Sequence, residues 1–208
     1  MRLMIATLSH RDPKQHFQIS LDSVVGYLSD PKNSSSLGLE GLCVQRMAGC
    51  SNLGEGRHEI IRRAYNWKAT DILLLDDDMV FPADIAALLY TRKKDIIGVN
   101  YVEKQPIRKF TARHLKTFEP VSSIGRSGIE RVASTGFGVV LLKMSVLDKI
   151  KPPYFQMAWD ELRKETITED NYFFAKLREH GLDVWLDHDA SQNIGHVGDY
   201  VYTMHSHG

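Results

Sequence analysis

The chain has 208 residues, and its 26 basic and 26 acidic side chains cancel. This length supports a single domain with a sizeable hydrophobic core. The balanced charge excludes the net positive field that drives sequence-independent binding to DNA or RNA, so we expect no nucleic-acid partner. The two cysteines, Cys43 and Cys50, are too few for a zinc ribbon or for the disulfide framework of a small secreted protein.

Apolar runs in this sequence are short. The run at residues 3–8 is too short for a signal sequence and far too short to span a bilayer, and no later run is longer. We therefore expect a soluble, cytoplasmic protein without a transmembrane segment. The sequence does not indicate an oligomeric state.

The first half of the chain alternates short apolar runs with helical patterns. The apolar runs predict strands at residues 3–8, 42–44, 72–75 and 95–102. Apolar side chains at helical spacing predict an amphipathic helix at Ile60, Ile61, Ala64 and Trp67. A second helix is predicted at residues 85–89, after Pro82, and residues 30–39, rich in serine and asparagine, are expected to form a flexible loop. Strands separated by helices indicate an α/β fold with a mostly parallel central sheet.

The second half begins with a basic segment of little periodicity, residues 103–128, which predicts a long loop or a weak hairpin. This segment is either solvated or closes over an anionic ligand. The remaining predicted elements are a strand at 139–142, a short helix at 145–150, a helix that begins at Thr168 and ends at Gly181, and a last strand at 182–186.

The most informative feature is a carboxylate triplet, Asp76-Asp77-Asp78, directly after the predicted strand at 72–75. In open α/β sheets, ligands bind beyond the carboxyl ends of the strands. Three adjacent carboxylates repel one another, and a divalent cation with a preference for oxygen ligands relieves that repulsion. The alternative is an acidic turn exposed to solvent.

A histidine near the C-terminus, His196, is a second candidate metal ligand because turn-forming residues surround it. Carboxylate and imidazole ligands, completed by water or phosphate oxygens, suit Mn²⁺ or Mg²⁺ better than zinc. The candidate metal ligands are the carboxylate triplet and His196. A structural or idle histidine is the alternative.

Two further segments carry candidate binding or catalytic groups. Glycines at 54 and 56 precede Arg57, an arrangement that suits contact with phosphate or, alternatively, a simple turn before a helix. Glu169 and Asp170 lie in the first turn of a predicted helix, where the helix dipole favours carboxylates whatever the function. One of the two could instead take a proton from an attacking hydroxyl.

In their order along the chain, these segments resemble a glycosyltransferase of the GT-A fold. The triplet matches that family's Asp-x-Asp motif, and Gly136-Phe137-Gly138 resembles its glycine-rich acceptor-side segment. Residues 168–170 resemble the family's Glu-Asp helix, and residues 196–198 resemble its C-terminal metal-binding histidine. Residues 56–58 resemble an Ala-Arg-Asn element that contacts the donor diphosphate, although glycine and histidine replace two of its residues.

The resemblance implies a single domain over residues 1–208, with a nucleotide-binding half at 1–102 and an acceptor and catalytic half at 103–208. It implies transfer of a sugar from a nucleoside-diphosphate sugar to a glycan, lipid or other hydroxyl acceptor, with Mn²⁺ or Mg²⁺ bound by Asp76, Asp78 and His196. Asp170, or less favourably Glu169, would be the catalytic base of an inverting reaction. The residues placed against the nucleotide sugar are Thr7, Ser9, Arg57, Asp76, Asp77, Gly136, Phe137 and Gly138.

Two other classes of protein remain open from the sequence. A metal-dependent nucleotidyltransferase or phosphohydrolase also gathers carboxylates at a strand end, although it usually needs more of them for two metals. A non-catalytic module of the same fold could bind nucleotide or carbohydrate without turnover, because a fold does not fix a function.

Overall fold

The computed structural model describes residues 1–9, 13–105, 108–161, 164–198 and 200–205. The described strands, in chain order, are β1 (Arg2–Ser9), β2 (Gly41–Ala48), β3 (Asp71–Asp76), β4 (Met79–Val80), β5 (Ile96–Val99), β6 (Arg113–His114), β7 (Ile129–Ser134), β8 (Val139–Lys143), β9 (Ala158–Asp160), β10 (Glu165–Ile167), β11 (Val184–Asp187), β12 (Gly195–Val197) and β13 (Val201–Thr203). The described helices are α1 (Gln15–Ser29), α2 (Pro31–Ser36), α3 (Leu53–Trp67), α4 (Ile85–Thr91), α5 (Glu169–Glu179) and α6 (His188–Ser191), with a 3₁₀ helix at Met144–Lys149.

A mixed central sheet organises the molecule, in the strand order β2-β1-β3-β8-β5-β11-β7-β6. Strands β1, β2 and β3 are parallel to one another, and β5 is parallel to β11. Strand β8 lies antiparallel between β3 and β5, and β7 is antiparallel to both β11 and β6. Most strands therefore point the same way, with helices on both faces, and the predicted α/β fold class is confirmed.

The two faces of the sheet carry separate hydrophobic layers. Helices α3 and α5 cover one face with the side chains Ile60, Ile61, Ala64, Phe173, Phe174 and Leu177. Helices α1 and α4 cover the other face with Phe17, Leu21, Val24, Leu28, Ile85 and Leu89. Because both faces are buried, the inner strands are apolar on both sides, which is why they appear in the sequence as continuous apolar runs.

One edge of the sheet gathers the polar segments. Strands β1 and β3 are in register, with Leu8 opposite Asp76, so their carboxyl ends meet at this edge. Strand β8 runs the other way and begins with Val139 opposite Leu75, which brings the preceding glycine-rich segment to the same edge. The predicted grouping of these segments thus follows from the strand directions.

A small second sheet of three strands, in the order β13-β12-β4, lies beside this edge. Its strand β4 follows the carboxylate triplet, and it pairs antiparallel with β12, with His196 opposite Met79. This pairing joins segments that are more than a hundred residues apart in the chain. It is the feature that positions the C-terminal histidine.

Several local predictions differ from the structure. Helix α1 was not predicted, and the prediction of a flexible loop at residues 30–39 is wrong, because α2 lies within it. The Asp30 carboxylate accepts hydrogen bonds from the backbone N–H groups of Lys32 and Asn33, at 2.8 Å and 3.3 Å. An N-cap aspartate followed by proline at the first helical position favours a helix start more strongly than the serine-rich composition opposes it.

The remaining elements follow the sequence more closely. The described part of residues 103–128, which excludes 106 and 107, contains the two-residue strand β6 and otherwise loop. The helix predicted at 145–150 is a 3₁₀ helix at Met144–Lys149. Among the described helices, none combines the length and the apolar character that crossing a bilayer requires.

Candidate active site

The carboxylate triplet lies where the sequence predicts it, at the carboxyl end of β3. Asp76 is the last residue of β3, and its backbone N–H donates to the Gly138 carbonyl at 3.1 Å. Asp77 and Asp78 form the turn that leads to β4. Adjacent residues in this turn point in different directions, so each carboxylate has its own surroundings.

His196 contacts the last carboxylate of the triplet. Its Nε2 lies 3.5 Å from Oδ2 of Asp78. Its Nδ1 donates to the backbone carbonyl of Val102 at 2.9 Å, because a carbonyl oxygen can only accept. The backbone N–H of Val197 donates to the carbonyl of Asp78 at 2.7 Å, which fixes the two segments against each other. The sequence hypothesis that these two side chains meet agrees with this geometry.

Lys104, which the sequence analysis did not single out, also contacts this carboxylate. Its Nζ forms an ion pair with Oδ2 of Asp78, the same oxygen that faces His196. Burial raises the pKa of Asp78, but the hydrogen bonds from His196 and Lys104 outweigh that effect, so the pKa lies below its usual value. Asp78 is therefore ionised at neutral pH.

Arg57 occupies the centre of a buried ion-pair network. Only 4% of this residue is exposed, and its guanidinium lies 4.6 Å from the centre of the Phe137 ring. Its Nη2 lies 3.2 Å from Oδ1 of Asp76, and its Nη1 pairs with Oε1 of Glu169. Burial lowers the pKa of Arg57, but the carboxylates of Asp76 and Glu169 raise it by more than burial lowers it. The pKa therefore lies above its ordinary value, and the guanidinium stays charged.

These contacts change the interpretation of residues 54–57. The glycines lie inside α3 and not before it, because the helix begins at Leu53 with Asn52 as its N-cap. A Cβ atom on Gly56 would overlap Cys50 and would lie 2.7 Å from Leu8, so this glycine serves close packing. The guanidinium of Arg57 is directed at the carboxylates of Asp76 and Glu169, and its contact with phosphate stays a prediction.

The first two carboxylates of the triplet differ from the third. Burial raises the pKa of Asp76 to about 6, although the nearby Arg57 acts in the opposite direction, and the charges of Asp78 and Asp170 add to the rise. The Asp76 side chain keeps 36% of its surface exposed, so water still reaches one side of it. Burial also raises the pKa of Asp77, while a hydrogen bond with Ser9 partly offsets this rise.

Glu169 and Asp170 have different partners at the start of α5. Glu169 is committed to Arg57, as described above. Asp170 accepts a hydrogen bond from the Thr168 hydroxyl and one from the Asn171 backbone N–H at 2.7 Å. Thr168 is the N-cap residue that the sequence predicts, although its side chain makes no capping hydrogen bond.

Asp170 lies close enough to the triplet for its charge to raise the pKa values of Arg57, Asp76 and Tyr101. Of the two predicted catalytic carboxylates, Asp170 is the one that is free of an arginine partner among the described residues. The geometry therefore favours Asp170 over Glu169 as a group that can accept a proton.

The glycine-rich segment packs against Tyr101. A Cβ atom on Gly136 would overlap the Tyr101 hydroxyl, and one on Gly138 would lie 2.7 Å from the Tyr101 ring. The Gly138 backbone N–H donates to the Tyr101 hydroxyl at 3.2 Å. Phe137 is 2% exposed and packs in an aromatic cluster with Phe155, Phe173 and Phe174. Phe137 is thus a core residue, and its contact with the nucleotide sugar stays a prediction.

Tyr101 is a site residue that sequence reasoning missed. Its ring lies 5.1 Å from the His196 ring in an edge-to-face arrangement, so it forms a wall beside the candidate metal ligand. The available signal was its place at the end of a predicted strand, followed within three residues by Lys104. Aromatic residues at strand ends are also common in hydrophobic cores. The sequence alone therefore does not distinguish a core tyrosine from a tyrosine at a functional site.

At the end of β1, Thr7 and Ser9 are both buried, at 2% and 4% exposure. The Thr7 Oγ1 atom has no hydrogen-bond partner within the described part of the chain. A buried hydroxyl without a hydrogen-bond partner costs free energy, so this one indicates a ligand group that would form the missing hydrogen bond. This is the one observation at the site that points to a polar ligand near β1.

The described residues include no group of three or more histidine, cysteine, aspartate or glutamate side chains arranged to hold a metal ion. Asp78 and His196 nevertheless suit a cation that takes its other ligands from substrate and water. An imidazole that donates through one nitrogen to a carbonyl presents its other nitrogen as a ligand, the usual arrangement at metal sites. Mg²⁺ is typically held by one or two carboxylates together with substrate phosphates. Asp76 is less suited as a metal ligand, because its carboxylate already pairs with Arg57.

Comparisons with known proteins agree with this architecture. No protein-family model matches the sequence, and no curated protein matches it. Among solved structures, A197 from STIV is similar with a TM-score of 0.63 and 17% identity, over 100% of this chain and 96% of that chain.

Two glycosyltransferase structures are also similar. The catalytic domain of Drosophila beta1,4galactosyltransferase 7, solved with xylobiose, gives a TM-score of 0.52 at 14% identity over 95% of this chain and 71% of that chain. GalNAc-T7, solved with UDP, GalNAc and Mn²⁺, gives a TM-score of 0.57 at 11% identity over 94% of this chain and 43% of that chain. At these identities the likeness establishes the fold alone. The fold of this protein is GT-A-like.

Proposed function

We propose that this protein is a metal-dependent glycosyltransferase that moves a sugar from a nucleoside-diphosphate sugar to an acceptor hydroxyl. The observation that carries the proposal is the pairing of β4 with β12, which sets His196 beside Asp78 at the carboxyl end of β3. Asp170, at the start of α5, lies close enough for its charge to act on Asp76. A cation ligand set and a candidate base beside one strand end are what transfer from a diphosphate sugar requires.

The donor nucleotide would lie along the ends of β1 and β3. Thr7 offers a buried hydroxyl without a partner among the described residues, and Ser9 lies beside Asp77. A ribose or base that hydrogen-bonds Thr7 would remove the cost of that unpaired hydroxyl. Gly136 and Gly138 let the Tyr101 ring pack directly against the backbone, because a Cβ atom at either position would clash with it.

Asp78 and His196 would hold Mn²⁺ or Mg²⁺. When bound, the metal neutralises the charge that develops on the leaving diphosphate. Asp76 would act mainly through Arg57, as a positioning residue. GalNAc-T7, a similar structure, was solved with UDP and Mn²⁺, and this supports the choice of metal and of a diphosphate donor.

Asp170 would take the proton from the acceptor hydroxyl as the new bond to the sugar forms. Its carboxylate receives two hydrogen bonds, which orient it, and it keeps further lone pairs for the acceptor. Glu169 would hold Arg57 in place. A base that takes the proton directly from the acceptor hydroxyl corresponds to an inverting reaction.

An acceptor groove would lie on the other side of α5. A cavity of about 500 Å³ is bounded by Asn171, Arg178, Thr166 and Phe118. Trp159, opposite Thr166 in the β9–β10 hairpin, is 55% exposed, and an exposed indole is suited to stack on a sugar ring. The similar galactosyltransferase domain was solved with the disaccharide xylobiose, which supports a glycan as acceptor, ahead of a lipid or another hydroxyl compound.

Metal-dependent nucleotide binding tests the proposal. Titration with UDP and with GDP, in the presence and absence of Mn²⁺, should show binding that depends on the metal. Asp78→Ala should abolish this dependence, whereas Asp183→Ala, at an exposed ion pair with Arg131, should leave it unchanged. If Asp78→Ala binds nucleotide as tightly as the parent, the metal assignment is wrong.

The base assignment is tested separately. Nucleotide-sugar hydrolysis without acceptor identifies the donor, and transfer is then measured with Asp170→Asn. Loss of a general base lowers the rate on the order of 100-fold or more, so we expect that loss with donor affinity retained. Unchanged transfer would remove Asp170 as the base, and cleavage at phosphorus alone would favour the nucleotidyltransferase or phosphohydrolase class.

A further inference from the structure

Lys104 occupies the position that a cation would take at Asp78. We propose that Lys104 is an internal cation that competes with the metal for Asp78 in the free protein and moves to the diphosphate when the donor binds. Metal and diphosphate would then bind together and not independently. This inference rests on the proposed function and concerns a residue to which that function gives no role.

The geometry of Asp78 sets up the competition. The ammonium of Lys104 and Nε2 of His196 both face the Oδ2 atom, and the carboxylate is only 23% exposed. A divalent cation binds carboxylate oxygens at about 2.0 to 2.6 Å. A lysine ammonium and a metal ion on the same oxygen would repel each other strongly in this half-buried setting. Metal binding therefore requires that Lys104 leave.

Lys104 is placed so that it can leave. Its side chain is 32% exposed, and its stem lies beside the backbone of Gly198, with the Cδ atom 3.4 Å from the position of a Cβ atom there. It belongs to the loop after β5, where the neighbouring Glu103 backbone N–H donates to the Lys109 carbonyl at 2.9 Å. That bond keeps the loop in place while the four-carbon side chain changes rotamer.

A diphosphate gives Lys104 a better partner than Asp78. Lysine is a flexible point charge that binds phosphate well, and a diphosphate carries more negative charge than one carboxylate. The charge of Lys104 already acts on Asp77 as well as Asp78, so the ammonium lies close to both carboxylates. Transfer of the ammonium to phosphate would free Asp78 at the moment when the metal is needed.

By linkage, a diphosphate must then raise the affinity for the metal by the same factor by which the metal raises the affinity for the diphosphate. Couplings of this kind are typically on the order of 5- to 150-fold. Removal of the ammonium should raise the metal affinity of the free protein and reduce the coupling.

The experiment measures Mn²⁺ binding to the full chain by the EPR signal of free Mn²⁺, with and without inorganic pyrophosphate, each against a protein-free sample because pyrophosphate itself binds Mn²⁺. The variants are Lys104→Met, Lys109→Met as the matched control, and Asp78→Asn. Lys109 lies in the same loop, 3.2 Å from Glu103, and is exposed to a similar degree. Because both lysines are partly exposed, we expect both variants to fold, and far-UV circular dichroism checks this.

We expect the parent and Lys109→Met to bind Mn²⁺ weakly alone and at least about 5-fold more tightly with pyrophosphate. Lys104→Met should bind Mn²⁺ alone at least about 5-fold more tightly than the parent, and its further gain from pyrophosphate should be smaller than that of the parent, because only direct ligation of the metal by phosphate remains. Equal Mn²⁺ affinity of Lys104→Met and the parent, with binding lost in Asp78→Asn, would overturn the inference and leave the proposed function standing. Unchanged Mn²⁺ binding in Asp78→Asn would overturn both.

Discussion

Asp76 and Asp78 are two positions apart, yet their pKa values move in opposite directions. His196 and Lys104 lower the pKa of Asp78 and outweigh the effect of its burial. Asp76 is raised by burial and by the two neighbouring carboxylates, and Arg57 offsets only part of this. At the residue scale, the triplet therefore divides its roles: the ionised Asp78 suits a cation, and Asp76 shares its charge with an arginine.

The raised pKa of Asp76 predicts a particular pH dependence. Because the pKa in the folded protein, about 6, exceeds the ordinary value of 3.8, the folded state binds this proton more tightly than the unfolded chain. The contribution of Asp76 to stability must then increase as the pH falls from about 6 towards 4. The neutral variant Asp76→Asn lacks this dependence.

We therefore expect the melting temperature of the parent, relative to Asp76→Asn, to rise between pH 7.5 and pH 4.5, measured without metal or nucleotide. A difference that shrinks as the pH falls would show that the ion pair with Arg57 outweighs burial, so that the folded pKa lies below its ordinary value. The Asp183→Asn variant, at an exposed ion pair, serves as a control for general effects of acid.

At the scale of elements, the two-residue strand β4 has the largest consequence for the site. It carries the chain from the triplet into a pairing with β12, and this pairing places His196. Gly195 is required there, because a Cβ atom on it would lie 2.6 Å from Cγ1 of Val201 and 3.4 Å from Cβ of Val80. The position of the His196 imidazole thus depends on the glycine that precedes it in β12.

Gly195→Ala should displace β12 and weaken Mn²⁺ binding about 10-fold or more, although no ligand is changed. Overpacking of this kind costs about 1 to 3 kcal/mol of stability. Mn²⁺ affinity and urea unfolding measure the two effects. Gly26→Ala is the control, since nothing lies within 4 Å of a Cβ atom at that position in α1. Mn²⁺ affinity equal to that of the parent would show that β12 does not position His196.

For the molecule as a whole, Arg57 links three elements. It belongs to α3, contacts Asp76 at the end of β3, and pairs with Glu169 at the start of α5. It also stacks on Phe137, which belongs to the aromatic layer between the sheet and α5. The network therefore holds the candidate base and the triplet in a fixed relation.

Arg57→Met should destabilise the protein by about 3 kcal/mol, because it leaves Glu169 buried without its partner. The free energy of unfolding in urea measures this loss. Arg62→Met, on the solvent side of the same helix with a 63% exposed side chain, should cost less than about 1 kcal/mol. Equal losses in the two variants would show that the buried network contributes no more than a surface ion pair.

The sequence by itself determined the alternation of strands and helices, because apolar periodicity reports directly on burial. The apolar run ending in the triplet became β3, and Ile60, Ile61 and Ala64 became the buried side of α3. It also indicated which polar residues lie at the strand ends, since Asp76 and Thr168 follow local rules of strand and helix termination. These features depend on residues close together in the chain.

Only the tertiary structure decided which side chains pair with one another. Nothing near Arg57 in the sequence indicates that it pairs with Glu169, and nothing near Lys104 indicates that it contacts Asp78. Such pairings depend on how β4, β12 and the loop after β5 meet in space, and an ion pair leaves no periodic pattern in either segment. The order of residues therefore identifies the groups that can act, whereas the packing of distant strands determines which of them act on one another.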